Sequence, residues 1–270
     1  ILNFEILNLL DIPLGIIALN KADLADEDLL ELVELDIAEL VQDTFMEDAK
    51  VLRVSAINGR GIEDLKKELL AICHEAPEKL DRGIFRMHVD RTFSMKGYGT
   101  VVTGTVNSGE LKIGDSVEIL PVSIIARVRG LQSHGQDVKS VKMGDRAAIN
   151  LQGVEKSNIE RGSEVAEPKY LQAIHQMGVR IHLLSSAIKP LKQNQRIRIH
   201  LGTQEVMARI AFTGVKTLQP GEKTAALFRL ETPLVAARGD KFIIRNYLFK
   251  EFNSFGRVFW STPPVIITLS

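Results

Sequence analysis

Asn20, Lys21 and Asp23 stand in a polar tetrad, Asn-Lys-Ala-Asp, that breaks off the apolar run Leu14-Gly15-Ile16-Ile17-Ala18-Leu19. A carboxylate only accepts hydrogen bonds. Asp23 can therefore take two adjacent donors at once, such as the ring N1–H and exocyclic amino group of guanine, a pair that adenine does not present on that edge. The Asn20 amide can face the acceptor side of the same ring or tie neighbouring loops together, and the Lys21 methylenes can lie along a base plane with the ammonium held clear. A second stretch, Arg53-Val54-Ser55-Ala56-Ile57-Asn58-Gly59-Arg60-Gly61, offers the Ser55 and Ala56 backbone N–H groups to guanine O6. The plainer reading of the tetrad is a solvated strand-to-helix loop with Asp23 near a helix start.

Those residues need a strand end to hold them. The apolar run is the pattern of a parallel strand covered by helices on both faces. Leu29, Leu30, Leu32, Val33, Ile37, Leu40 and Val41 follow at helical spacing over roughly 26–42, and Val51 to Val54 reads as a second strand followed by a helix carrying Ile62, Leu65, Leu69 and Ile72. Both polar stretches thus fall at the carboxyl ends of strands, where open α/β sheets place their ligands. Asn-Lys-x-Asp in that setting is the guanine-reading signature of GTP-binding proteins.

The chain of 270 residues has room for two or three domains, each with its own core. With 45% hydrophobic and 25% charged residues its composition is that of an ordinary globular protein. No run approaches the roughly 18 to 20 apolar residues of a membrane span, and no export signal is present, so a cytoplasmic location without membrane contact is expected. One cysteine, Cys73, leaves no internal disulfide and no multi-cysteine metal site, and the histidines show no ligand spacing, so no metal site is expected. The formal charge of zero hides an asymmetry: residues 1–76 hold 17 Asp and Glu against 6 Lys and Arg, whereas 169–216 hold 8 Lys and Arg against the single acid Glu205. A basic second half is a footing for a polyanion, or else a basic barrel face with no particular ligand.

Helical spacing ends near Glu75, and residues 77–83 form a polar linker with Pro77 and Gly83. From Phe85 the period changes to short β-branched runs separated by turns, the pattern of closed antiparallel barrels. A turn formula recurs four times, as Lys112-Ile113-Gly114-Asp115, Lys142-Met143-Gly144-Asp145, Gln219-Pro220-Gly221-Glu222 and Ala237-Arg238-Gly239-Asp240. Two copies fall in each half of the β region, which suggests two similar barrels. The expected organisation is α/β plus all-β: residues 1–76 as the C-terminal part of a P-loop GTPase α/β domain, 84–168 as one antiparallel β-barrel, 169–260 as a second, and 261–270 as a tail of uncertain structure.

The stretches HVDRTFSMKGYGTVVTG (88–104), GDRAAINLQG (144–153), ERGSEVAEP (160–168) and HLGTQEVMARI (200–210) resemble the translational GTPases related to elongation factor Tu. Within them they are most similar to the bacterial selenocysteine-specific elongation factors. The resemblance implies a monomeric GTP-dependent carrier that brings selenocysteinyl-tRNA to the ribosome, cycling between GTP and GDP with Mg²⁺ in the full-length protein. It implies an aminoacyl pocket in the first barrel, matched here by Asp90, Arg91 and Arg146. Paired guanidinium groups would favour a selenolate over a serine hydroxyl, and the Asp90 carboxylate would take the cationic α-amino group. Read without the resemblance, Asp90-Arg91 is a strand-end surface pair and Arg146 a turn residue. In the second barrel, Arg180, Lys189, Lys192, Arg196, Arg198 and Arg209 become candidates for tRNA phosphate contacts, which position an RNA without reading its sequence.

Two features depart from the family plan. Neither G-x-x-x-x-G-K-[ST] nor D-x-x-G occurs, so the phosphate-cradling parts, and with them any catalytic residue, are absent from this chain. Residues 1–10 read as a helix met part-way, so the chain is expected to be a piece of a longer protein. Where the family continues with domains that bind an mRNA hairpin, residues 246–270 read either as a divergent last strand or as a disturbed stretch rich in aromatics. The alternatives to the main reading are another elongation or initiation factor of the same superfamily, and a non-catalytic double-barrel module that binds RNA or protein.

Overall fold

The computed structural model describes residues 7, 12–78, 80–95, 99–246 and 252–260. All but one of residues 1–10, residues 96–98 and the whole tail 261–270 lie outside the described residues. The chain divides into two compact units, Ile1–Leu80 and Asp81–Ser270.

In the first unit, β1 (Ile17–Leu19) pairs in parallel with β2 (Val51–Arg53), with Ile17 opposite Val51 and Leu19 opposite Arg53. α1 (Glu27–Val41) starts where Asp26 accepts from the Leu29 N–H at 2.9 Å, and Glu27 and Asp28 in its first turn suit the positive end of the helix dipole. α2 (Ile62–Glu75) begins at Gly61, whose φ is +69° and where an added Cβ would lie 2.1 Å from the Arg53 carbonyl oxygen. Only glycine fits that approach. Among the described residues the expectation of a strand covered on both faces is not met: Ala18 is exposed and Ile17 and Leu19 are only half-buried in a two-stranded sheet.

The second unit consists of two closed barrels of six strands each. In the first, β3 (Arg86–Met95), β4 (Gly99–Ser108), β5 (Ser116–Leu120), β6 (Ile124–Ser133), β7 (Arg146–Gln152) and β8 (Glu164–Ala166) pair antiparallel in the cyclic order β3-β4-β7-β6-β5-β8. Alternate residues turn inward, so Met87, Val89, Val102, Val106, Val117, Ile119, Val128, Leu131, Ile149 and Val165 form its core. In the second, β9 (Ala173–Leu183), β10 (Arg196–Leu201), β11 (Gln204–Phe212), β12 (Lys223–Val235), β13 (Lys241–Asn246) and β14 (Phe252–Trp260) close in the order β9-β12-β11-β10-β13-β14. Phe228 and Phe242 meet edge to face in its core, with centroids 5.4 Å apart. β14 takes up part of the stretch whose reading the sequence leaves open, and it closes the barrel between β13 and β9.

The repeated turn formula has one physical basis. In each copy the glycine has φ between +86° and +96°, and the acid that follows accepts from the backbone N–H three residues before it: Asp115 from Lys112, Asp145 from Lys142, Glu222 from Gln219 and Asp240 from Ala237. The barrels meet through an apolar cluster of Leu120, Ala166, Leu171, Val235 and Ala237. Beside it, Arg86 donates to both Glu164 of its own barrel and Asp240 of the second.

Candidate functional site

The tetrad leaves the end of β1 under tight backbone control. The Val54 N–H donates to the Leu19 carbonyl at 2.9 Å, and the Ala22 N–H to the Val54 carbonyl at 3.1 Å. Ala22 is buried and Lys21 takes a φ of +61°, so the chain reverses with Asn20, Lys21 and Asp23 all exposed. Asn20 Oδ1 accepts from the Lys21 N–H at 2.8 Å, which makes it a brace of the loop. The exposed Asp23 carboxylate stands open to a donor pair. Arg60, which carries no signal in the sequence pattern, reaches the Ala22 carbonyl at 3.5 Å and Glu27 at 3.0 Å, while Arg53 forks onto Glu34 and also meets Glu27. The Arg60 hydrogen bond and the neighbouring guanidinium charges hold the Glu27 carboxyl below its ordinary pKa range.

The second loop corrects one expectation. The Ser55 N–H donates to the Arg60 carbonyl at 2.9 Å and so does not face a ligand. Ser55 is instead fully buried, its Oγ accepting from the Ile57 and Asn58 N–H groups at 3.3 and 3.4 Å, and it shapes the turn. The Ala56 N–H, on an exposed residue, is the one of the pair left to offer.

In the first barrel, β3 and β4 run in register from Met87 opposite Val106 to Val89 opposite Gly104, and then shift so that Arg91 lies opposite Thr103. Asp90 is the extra residue of that bulge. Bulges re-aim side chains, and this one turns the Asp90 carboxylate to the outer face. There Asp90 Oδ1 accepts from Thr103 Oγ at 2.7 Å and Oδ2 from the Arg146 guanidinium. Arg146 reaches it from β7, across β4, where it lies opposite Thr105. Burial pushes the Asp90 pKa up, but hydrogen bonds from Arg146 and Thr103 and the charges of Arg146 and Arg91 outweigh it and hold the carboxyl below its ordinary range. Asp90 and Arg146 therefore come together, with Arg91 close enough for its charge to act. Thr103 was not foreseen, since a threonine in a β-branched run carries no signal of its own. The Arg146 side chain keeps 48% exposure, so donors of its fork still face solvent.

The six basic candidates of the second barrel do not form one cluster. Arg196 and Arg209 are cross-strand partners on β10 and β11, and Arg229 of β12 continues the row opposite Arg209. Arg229 was missed, although outward alternation in Leu227-Phe228-Arg229-Leu230 marks it. Arg196 forks onto Glu231 at 2.8 and 2.6 Å, and Arg198 meets Glu205 at 3.1 Å, so both already carry an acid. Arg180 lies on β9, and Lys189 and Lys192 lie before β10.

Residues 99–166 match the family of elongation factor Tu domain 2, and residues 178–264 match the β-barrel domain of the selenocysteine-specific elongation factor. The chain is 38% identical over 245 residues to the selenocysteine-specific elongation factor of Desulfomicrobium baculatum, covering 91% of this chain and 39% of that protein. A bacterial selenocysteine-specific elongation factor of known structure superposes with a TM-score of 0.85 at 27% identity, over 98% of this chain and 43% of that one. The elongation factor SelB of Methanococcus maripaludis, solved with a GTP analogue, superposes with a TM-score of 0.84 at 26% identity, over 96% of this chain and 62% of that one. The chain thus spans about two fifths of the curated relative it matches.

Proposed function

We propose that this chain, which belongs to the selenocysteine-specific elongation factors among the translational GTPases, forms the guanine-reading end and the two tRNA-holding barrels of a GTP-dependent carrier of selenocysteinyl-tRNA. The observation that carries this reading is the Asp90–Arg146 pair, set on the outer face of the first barrel by a bulge and seated on Thr103.

Asp90 and Arg146 neutralise one another while unliganded. An incoming α-ammonium finds in Asp90 a carboxylate that is already ionised and has lone pairs to spare. Its binding draws negative charge away from Arg146 and leaves that guanidinium, with Arg91, facing the side chain of the aminoacyl group. A selenol is already ionised at neutral pH and meets two cations as an anion, whereas a serine hydroxyl stays neutral and gains only ordinary hydrogen bonds. Discrimination then rests on charge, because a pocket wide enough for the selenolate also admits the smaller serine hydroxyl and cannot exclude it by size.

At the other unit, Asp23 would take the N1–H and amino group of guanine, the Ala56 N–H would face O6, and Lys21 would lie along the base. Bound GTP or GDP supplies the on and off states of such a carrier. Among the described residues no group of three or more His, Cys, Asp or Glu gathers as a metal site. On the second barrel, Arg209 and Arg229 offer charge to a phosphate backbone, Arg196 beside them being held by Glu231, with the ribosome as the destination of the loaded carrier.

The pocket is tested with an Arg146→Ala variant of the intact gene product, by comparing its affinities for selenocysteinyl-tRNA and seryl-tRNA. Loss of one charge-assisted contact, about 1.5–3 kcal/mol, lowers the preference for selenocysteine roughly ten- to hundredfold. An unchanged preference removes the pocket.

A further inference from the structure

We propose that Thr203, in the turn of the second barrel, is a positioning residue for the Asp90–Arg146 pair of the first, so that the hairpin bearing the basic row also sets the geometry of the aminoacyl pocket. This role rests on the pocket reading under Proposed function.

The bulge that aims Asp90 begins at Val89, a fully buried residue whose two backbone groups are both engaged outside the β3–β4 pair. Its N–H donates to the Ser163 carbonyl at 2.9 Å, and its carbonyl accepts from the Gly162 N–H at 3.1 Å. The same carbonyl accepts from Thr203 Oγ at 2.8 Å, and that hydroxyl belongs to the turn joining β10 to β11. A bulge lacks part of the ladder bonding that fixes ordinary strand residues, so bonds from outside the pair decide where its extra residue points. Here one of them comes from the other barrel.

The approach is specific to this turn. A Cβ added to Gly202 would lie 2.6 Å from the ring of His88, one residue before Val89, so the glycine lets the turn seat against β3. A Cβ on Gly162 would come within 3.3 Å of Gln204, so this second glycine lets the β8 approach meet the same turn. The hairpin is also anchored to its own barrel. Buried Gln204 donates from Nε2 to the Val235 carbonyl at 3.0 Å and accepts at Oε1 from the Val235 N–H at 3.1 Å. Displacement of the hairpin is thereby transmitted to Val89 rather than absorbed within the turn.

The same hairpin bears Arg196, Arg198 and Arg209 on its outer face. An RNA backbone lying across them pulls on the element whose turn supports the bulge, which links docking of the tRNA body to the fit of its aminoacyl end.

The test uses the intact gene product as Thr203→Val, Thr203→Ser and Gly202→Ala variants beside Arg146→Ala. Two quantities are read: hydrogen exchange at the amides of residues 89–92, and the ratio of affinities for selenocysteinyl-tRNA and seryl-tRNA. Thr203→Val should speed exchange at 89–92 while leaving β12 as in the parent, and should lower the ratio about fivefold, the effect of one lost hydrogen bond. Thr203→Ser should restore both, and Gly202→Ala, which pushes the turn off His88, should repeat the loss without touching the hydroxyl. Unchanged exchange in both Thr203→Val and Gly202→Ala overturns the proposal, as does faster exchange with an unchanged ratio while Arg146→Ala abolishes the preference. If Arg146→Ala leaves the preference intact, the pocket reading falls by itself; exchange at 89–92 then still decides whether Thr203 holds the bulge.

Discussion

Arg86 of β3 donates to Glu164 of β8, a carboxylate with no exposed surface, and reaches Asp240 of the second barrel with the same guanidinium at 2.8 Å. A single buried cation therefore ties two strands of one barrel to a turn of the other. Replacing Arg86 by Met strands Glu164 in the interior and should lower stability by about 3–5 kcal/mol. Replacing Arg86 by Met and Glu164 by Leu together should recover most of that loss. Urea unfolding followed by circular dichroism measures both, and equal losses in the single and double variants would show that the stranded charge is not the cause.

The same carboxylate sets the acid limit of the barrels. Burial pushes the Glu164 pKa up, but the His88 ring beside it and the charge and hydrogen bond of Arg86 outweigh it, so the folded value lies below the ordinary one. His88 Nδ1 stands 3.3 Å from Glu164 Oε2. A depressed folded pKa stabilises the native state above the unfolded value, near about 4.3, and that stability is lost as pH falls through the folded value. Urea midpoints should hold from pH 7 to 5 and fall steeply below about pH 4. Glu164→Gln should lie lower at neutral pH and fall less steeply; parallel curves for parent and variant would refute the assignment.

At the base-reading loop, Asp23→Asn turns a donor toward the guanine N1–H. One of the two hydrogen bonds to a charged acceptor is replaced by a donor facing a donor, a loss of about 1.5–3 kcal/mol, so guanine nucleotide affinity of the intact gene product should drop roughly ten- to hundredfold and its preference over adenine should vanish. Retained guanine selectivity in a nucleotide competition assay would show that another group reads the base.

The basic row gives a prediction of opposite sign. Glu231 holds Arg196 in a two-pronged pair, and its carboxyl is kept below the ordinary range by the hydrogen bond and charge of Arg196 and the charge of Arg209. Glu231→Gln releases the Arg196 charge for a phosphate, so tRNA should bind more tightly and with a steeper salt dependence, the slope rising by about 0.7–0.9 for one more phosphate neutralised. Arg209→Gln should do the reverse. If Glu231→Gln leaves the salt dependence unchanged, the row does not face the RNA.

What the sequence discloses follows from the range of each interaction. The strand, loop and helix around Asn20–Asp23 are built by neighbours in sequence, and the four Gly-acid turns are closed by a bond spanning three residues, so both are legible there. Barrel strands announce themselves by alternation, as in Gly99–Ser108. The use of an amide is not legible: the Ser55 N–H is taken by a carbonyl five residues on, and composition cannot show which groups a turn consumes. Pairs made across the barrel are hidden as well. Arg146 and Asp90 are brought together only by register, and Thr203 meets Val89 only because two glycines allow two barrels to close on one another. The stretch 252–260 is the closing strand β14, one of the two readings its sequence leaves open, and only its pairing with β13 and β9 decides between them.

Charge recognition at Asp90, Arg91 and Arg146 is met most directly by equilibrium competition between selenocysteinyl-tRNA and seryl-tRNA, identical in tRNA body, for the unmodified gene product loaded with GTP. Charge-based recognition gives a preference for the selenocysteinyl form that narrows as pH falls and the selenol takes up its proton. Equal affinities at neutral pH, or a preference that does not respond to pH, would contradict it.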